Sequence, residues 1–193
     1  SWAEHLDFIS WDCYSPIEED PALPAFGHDL MRSLKPETPF WLMECDPGFD
    51  LHRPTVRLRR PGGLQRFAGQ ALARGANGIL YFQLRQGRGG VEKFHAAVVQ
   101  QGRRTDTRTF RACAELGSRL NPEWHRMLEG RPATDTALLF DWNPRWAFGH
   151  CAIQPSHLDY LEEARRFHGA LYDLGVLSDF VSVAHDLSRY RVL

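Results

Sequence analysis

The sequence has few of the features that announce a chemistry by themselves. Its four cysteines, Cys13, Cys45, Cys113 and Cys151, lie far apart and form no CxxC pair. Neither a zinc site nor a disulfide framework is expected, and the thiols read as reduced, in a cytoplasmic protein. There is no HExxH, GxGxxG, Walker loop or GxSxG, so the usual zincin, dinucleotide, phosphate-loop and α/β-hydrolase readings fall away. We expect no metal and no cofactor. A surplus of one charge is also missing. The 23 Lys+Arg against 24 Asp+Glu leave −1, which gives no reason to expect nucleic acid or an anionic membrane as partner. No apolar run approaches the ~18 residues of a membrane-spanning helix, and no leader-like segment opens the chain.

What is present is an ordinary globular composition, 43% apolar and 24% charged over 193 residues, arranged as alternating strands and helices. Residues 6–11 read as a strand. Leu23, Phe26, Leu30 and Leu34 recur at helical spacing and stop before Pro36. Residues 39–44 are nearly all apolar between prolines, which suits a buried parallel strand. A polar loop with a basic stretch at Arg57, Arg59 and Arg60 leads to a helix at residues 64–72 that Gly75 can cap. Residues 78–83 form the next strand. A Gly/Arg-rich loop then reaches Glu92 and His95, before a helix over 107–120 with Phe110, Ala114 and Leu116 inward. Loops are long only after the strands, which is the asymmetry of a β/α barrel with its chemistry on the strand C-terminal ends.

The texture changes near Asn121-Pro122, and Glu129-Gly130-Arg131-Pro132 reads as a linker. Residues 136–141, 179–183 and 190–193 are strand candidates. Leu158, Leu161, Ala164, Phe167, Leu171 and Leu174 mark a helix stopped by Gly175. This suits the opening of a flavodoxin-like βαβ domain. The fold expected is therefore α/β: the C-terminal part of a (β/α)8 TIM barrel over 1–128, then the start of a flavodoxin-like domain over 129–193. A barrel takes about 250 residues. Together with an opening Ser1 and an apolar stretch cut at Leu193, this reads as an internal slice of a longer protein.

Glu44 is the first candidate for chemistry, because a carboxylate ending an apolar strand is costly to bury without a role. The alternative is a salt bridge to a nearby arginine. Glu92 and His95, three apart, can grip hydroxyls or start a solvated helix. Trp2, Trp11, Tyr14, Trp41, Tyr81 and Phe82 cluster near the strands, where aromatic faces either stack on sugars or fill core. Asp12 and Asp46 read as turn or cap residues. A strand-end Glu among aromatics suggests glycoside hydrolysis, which needs two carboxylates. One good candidate is present.

Several blocks in register then resemble the glycoside hydrolase family 42 β-galactosidases: Ser10-Trp11-Asp12-Cys13-Tyr14, Pro39 to Glu44, Phe82-Gln83-Leu84-Arg85-Gln86 and Glu92-Lys93-Phe94-His95. Leu138 to Trp142 and Leu158 to Leu161 resemble the start of that family's trimerisation domain. The resemblance implies a retaining hydrolase that releases terminal β-D-galactose, with Glu44 as nucleophile at the end of the seventh barrel strand. It also implies that Glu92 and His95 hold galactose hydroxyls, that Phe82 lines the pocket, and that Trp11, Asp12 and Tyr14 follow the sixth strand. His52 stands where the family often has a tryptophan platform, so it is a candidate substrate contact that alters preference. Cys13 and Leu84 depart similarly. The family's acid/base glutamate lies in an Asn-Glu motif, and no Asn-Glu occurs in this sequence. The slice is then expected to be inactive alone and homotrimeric when full length. The competing readings are a related glycosidase acting on α-L-arabinopyranosides or β-fucosides, and a non-catalytic sugar-binding or assembly module.

Overall fold

The structure is a computed structural model that describes residues 2–15, 20–49, 56–120, 128, 130–150 and 159–193. Three strands, β1 (Ser10–Asp12), β2 (Phe40–Cys45) and β3 (Ala76–Tyr81), lie parallel in that order. Helix α1 (Ala22–Leu34) joins β1 to β2, α2 (Gly63–Ala73) joins β2 to β3, and α3 (Arg108–Arg119) follows. The expected alternation is therefore present, and each pair of parallel strands is bridged by a helix, as parallel pairing requires.

Strand residues alternate between the two faces of the sheet, and a register slip between Leu42 and Cys45 resets the alternation in β2. Ile9, Cys13, Phe40, Leu42 and Cys45 turn toward the helices and pack with Phe67 and Ala71 of α2. α2 ends as its sequence indicates. Gly75 takes φ +100°, and its N–H donates to the Leu72 carbonyl at 3.0 Å, which a side chain at Cβ would disfavour.

The first strand is shorter than expected. Trp2–His5 form a 3-10 turn, Leu6 and Phe8 stay exposed, and only Ser10–Asp12 joins the ladder. The cause lies in the neighbour. The first bond between the strands is Trp41 N–H to Ile9 O at 2.9 Å, so earlier residues have no facing backbone. In α3 the register also moves. Leu116 is buried with Leu64 and Ala68, beside Ala112 and Cys113, while Ala114 is exposed. The Thr107 hydroxyl caps α3 by accepting from Phe110 N–H at 3.2 Å.

The second unit holds β4 (Ala137–Leu139) and β5 (Asp179–Val181), parallel and paired residue for residue. Between them lie α4 (Trp142–Gly149) and α5 (Tyr160–Asp173). α4 was not expected from the sequence; its start is fixed by the Asp141 carboxylate accepting from Asn143 N–H at 2.9 Å. The candidate strand 190–193 reduces to one bridge, Thr136 to Val192. Residues 161 and 164 of α5 meet Phe26, Leu30, Phe140 and Phe180. Phe167 and Leu174 are exposed, while His168 is buried, because α5 lays its 161/164/168 face on α1 and β5. Leu158 lies outside the described residues. Among the described residues, no helix is long and apolar enough to cross a membrane.

Candidate active site

Glu44 is the next-to-last residue of β2, and its Cα pairs with that of Asp12 on β1. The register slips between Trp11 and Asp12, so the two carboxylates face one another at the strand ends. Beyond them the backbone stays tied: Cys13 N–H donates to Glu44 O at 2.8 Å and Phe82 N–H to Cys45 O at 3.0 Å. The half-buried Glu44 carboxylate accepts a hydrogen bond from the Tyr14 hydroxyl at 3.0 Å. Burial first, and then this hydrogen bond and the charge of Glu44, push the Tyr14 phenol well above its ordinary range. Tyr14 is therefore a fixed donor at any physiological pH. Asp12 is raised as well, by partial burial and then by the Glu44 charge.

The Tyr14 ring lies edge-on to His95 at 5.7 Å, and Phe82 meets the same imidazole edge-on at 4.9 Å. His95 is 2% exposed, and its Nδ1 lies 3.1 Å from Ala96 O. The long loop after β3 returns His95 to this place by pairing with its own start. Gln83 N–H donates to Ala96 O at 3.2 Å, Val98 N–H to Gln83 O at 2.9 Å, and Val99 N–H to Leu84 O at 2.8 Å. The Phe82–Gln83 peptide is cis. Glu44, Tyr14, Phe82 and His95 thus form one cluster at the C-terminal ends of three parallel strands.

The other expected residues fall elsewhere. Glu92 is exposed on the turn before His95, where its carbonyl accepts from His95 N–H at 2.8 Å. His52 lies outside the described residues. Trp11, an expected substrate contact, is not brought to this cluster. Its ring lies against α1, edge-on to His28 at 5.2 Å and so close over Gly27 that a Cβ there would overlap it. Trp11 is core.

Two features escaped the sequence reading. Tyr14 was one aromatic among six, and its partner stands 30 residues away. Asp46, read as a turn residue, is 1% exposed and takes a two-pronged grip from Arg59, at 3.0 Å to Nε and 2.6 Å to Nη2. Arg59, from the basic stretch at residues 57–60, pairs with Asp46. Among the described residues, no group of three or more His, Cys, Asp or Glu is placed to hold a metal ion. A cleft of about 620 Å3 lies apart from the cluster, against Leu30, Phe140, Phe180 and Tyr190.

A carboxylate held by a phenol, beside a phenyl ring and an imidazole, is equipped to attack or stabilise a cationic carbon while aromatic faces seat a sugar. Known proteins agree in kind. A family model described as β-galactosidase matches residues 1–122, and one described as β-galactosidase trimerisation domain matches residues 134–193. β-Galactosidase BgaA of Planococcus sp. (strain 'SOS Orange') is 41% identical over 192 residues, and LacZ of Lactobacillus acidophilus is 36% identical. Both alignments cover 100% of this chain, with 28% and 29% of those proteins. The crystal structure of β-galactosidase from Bacillus circulans sp. alkalophilus superposes with a TM-score of 0.92 at 38% identity, covering 99% of this chain and 28% of that one. A catalytic mutant of Gan42B, a GH42 β-galactosidase from G. stearothermophilus, gives 0.90 at 32% identity, covering 99% and 29%. The chain thus spans under a third of the length of the relatives it matches. Its fold is part of a TIM barrel joined to the start of a flavodoxin-like α/β domain.

Proposed function

The chain belongs to the glycoside hydrolase family 42 β-galactosidases, and from that premise we propose that it carries the nucleophile side of a retaining β-galactoside hydrolase. Glu44 is the nucleophile. One of its carboxylate oxygens attacks the anomeric carbon as the glycosidic C–O bond breaks, leaving a glycosyl ester. Water then attacks the same carbon and releases galactose with retained configuration. The acid/base group that protonates the leaving oxygen and later activates water belongs to sequence outside these residues. The observation that carries the reading is the Tyr14–Glu44 hydrogen bond at 3.0 Å, which orients one carboxylate oxygen and leaves the other for attack.

His95 and Phe82 wall the sugar site beside this pair, and Glu92 reaches the sugar from its turn. His52 is the remaining candidate contact. A barrel portion over 1–128 and the start of the trimerisation domain over 129–193 divide the work between chemistry and assembly. The match to the trimerisation domain supports a homotrimer for the full-length protein. The buried free thiols Cys13 and Cys45 suit the reducing cytoplasm.

Glu44→Gln in the full-length protein is expected to abolish turnover of a nitrophenyl galactoside while retaining galactose binding by calorimetry. Near-normal turnover in that variant would remove Glu44 from the mechanism.

A further inference from the structure

The nucleophile strand loses its ladder just where its chemistry begins. β2 ends at Cys45, opposite Tyr81, and Asp46 is the first residue past the sheet. Its side chain supplies the next anchor. Arg59 grips both Asp46 oxygens, at 3.0 and 2.6 Å, with the two partners 7% and 1% exposed. Only the planar guanidinium fork can make this paired contact, since a lysine offers a point charge on a flexible stem.

Arg59 is itself held on every side. Its guanidinium sits 4.6 Å over the Phe67 ring of α2. Its backbone N–H donates to Gly48 O at 2.8 Å, and its carbonyl accepts from the Arg108 guanidinium of α3 at 2.7 Å. Phe49 and Leu58 form an antiparallel bridge just beyond. The two arms of the loop after β2 therefore close into a neck whose only charged pair is Asp46–Arg59 among the described residues. The neck is braced on α2 and α3.

We propose that the Asp46–Arg59 pair positions the nucleophile, fixing the strand end so that the Glu44 carboxylate stays in line with the anomeric carbon. The proposal rests on the reading of Glu44 as the nucleophile. Neither residue touches substrate. They act through two residues of backbone, and a misplacement of about 1 Å at a reacting group can cost about 100-fold in rate.

The test uses the full-length protein and a fluorogalactosyl fluoride. With this probe the Glu44 oxygen forms a bond to the anomeric carbon, and fluoride leaves with the electrons of the broken C–F bond. The ester that remains is long-lived and can be located by peptide mass. Arg59→Lys keeps the charge but loses the fork. The double variant Asp46→Asn with Arg59→Gln removes the buried charges together, so neither is stranded. Both are expected to label Glu44 about 10- to 100-fold more slowly than the parent. Their kcat should fall in proportion while KM changes little, measured on the folded fraction. A merely structural pair would lower the melting temperature and leave the labelling rate and kcat within twofold of the parent, which would overturn the proposal. If the parent labels at a residue other than Glu44, the catalytic reading fails and the positioning role falls with it.

Discussion

Tyr14 and Glu44 meet across 30 residues of chain, and the contact depends on where two short strands end. The phenol donates to a carboxylate, a charge-assisted bond that contributes about 1.5–3 kcal/mol. Its loss leaves Glu44 free to rotate away from the line of attack. Tyr14→Phe keeps the ring that meets His95 and removes the donor alone. In the full-length protein its kcat is expected to fall about 10- to 100-fold, with only a modest drop in melting temperature. Unchanged kcat would show that the sheet alone orients Glu44. At this scale the sequence was partly legible. Glu44 stood out because a charge at the end of an apolar strand is costly, and His95 and Phe82 stood out through their blocks. Tyr14 and Asp46 did not, because a tyrosine or an aspartate in a loop is common until its partner is known. Trp11 misled for the same reason. It stands in the same block as Tyr14, but its ring is taken up by α1, against Gly27 and His28.

Helix α1 shows how an element is set by what covers it. On one side it presses His28 into the core, stacked on Phe40 of β2 at 5.5 Å and fully buried. Neither ring nitrogen of His28 has a hydrogen-bond partner among the described residues. Burial dominates and lowers its pKa from 6.5 to about 3, with Arg74 and Arg32 adding to the fall and Asp29 opposing it. Below pH 6.5 the unfolded chain therefore binds a proton that the folded chain refuses. The stability associated with neutral His28 is complete above 6.5 and is lost as pH falls toward 3, by up to about 1.4 kcal/mol per pH unit. His28→Leu removes this dependence and two unpaired polar atoms. Melting curves of parent and variant should stay close at pH 7, with the variant pulling ahead steadily on acidification. Two parallel curves would mean that His28 takes up its proton equally in both states. The apolar spacing of α1 announced the helix, but a buried, unpartnered histidine leaves no trace in spacing.

At the scale of the whole molecule, the two units share more than a linker. Phe26 and Leu30 of α1 form a core with Phe140 and Phe180 of the second unit. Beside it runs a buried set of charges. Asp29, fully buried, accepts from Arg32, Arg74 and, at 2.8 Å, from His168 Nε2. Arg32 continues to Ser178 O at 2.7 Å and Asp179 at 3.1 Å. Asp179 then takes Arg189 at 2.7 Å and the Tyr190 hydroxyl at 2.9 Å. Arg32 bridges the units beside the Asp29–His168 contact, and removing it strands part of the charge on Asp29 and Asp179. Arg32→Met is expected to destabilise by about 3–5 kcal/mol. It should also separate the unfolding of the two units, seen as a second calorimetric transition. One unshifted transition would show that the apolar core and the remaining polar contacts, Asp29–His168 among them, join the units without Arg32.

The sequence by itself determined the strand–helix alternation of the first unit, the α/β class and the family. These follow from apolar spacing, from turn residues and from short motifs, all carried by neighbours in the chain. Only the tertiary structure decided that Tyr14 holds Glu44, that Trp11 turns to α1, that Arg59 serves Asp46, and that α1 belongs equally to both units. The reason is common to all four. A strand shows one face or the other according to register, and a charge chooses its partner by burial and reach. Both are settled by segments tens of residues apart, where local pattern carries no information.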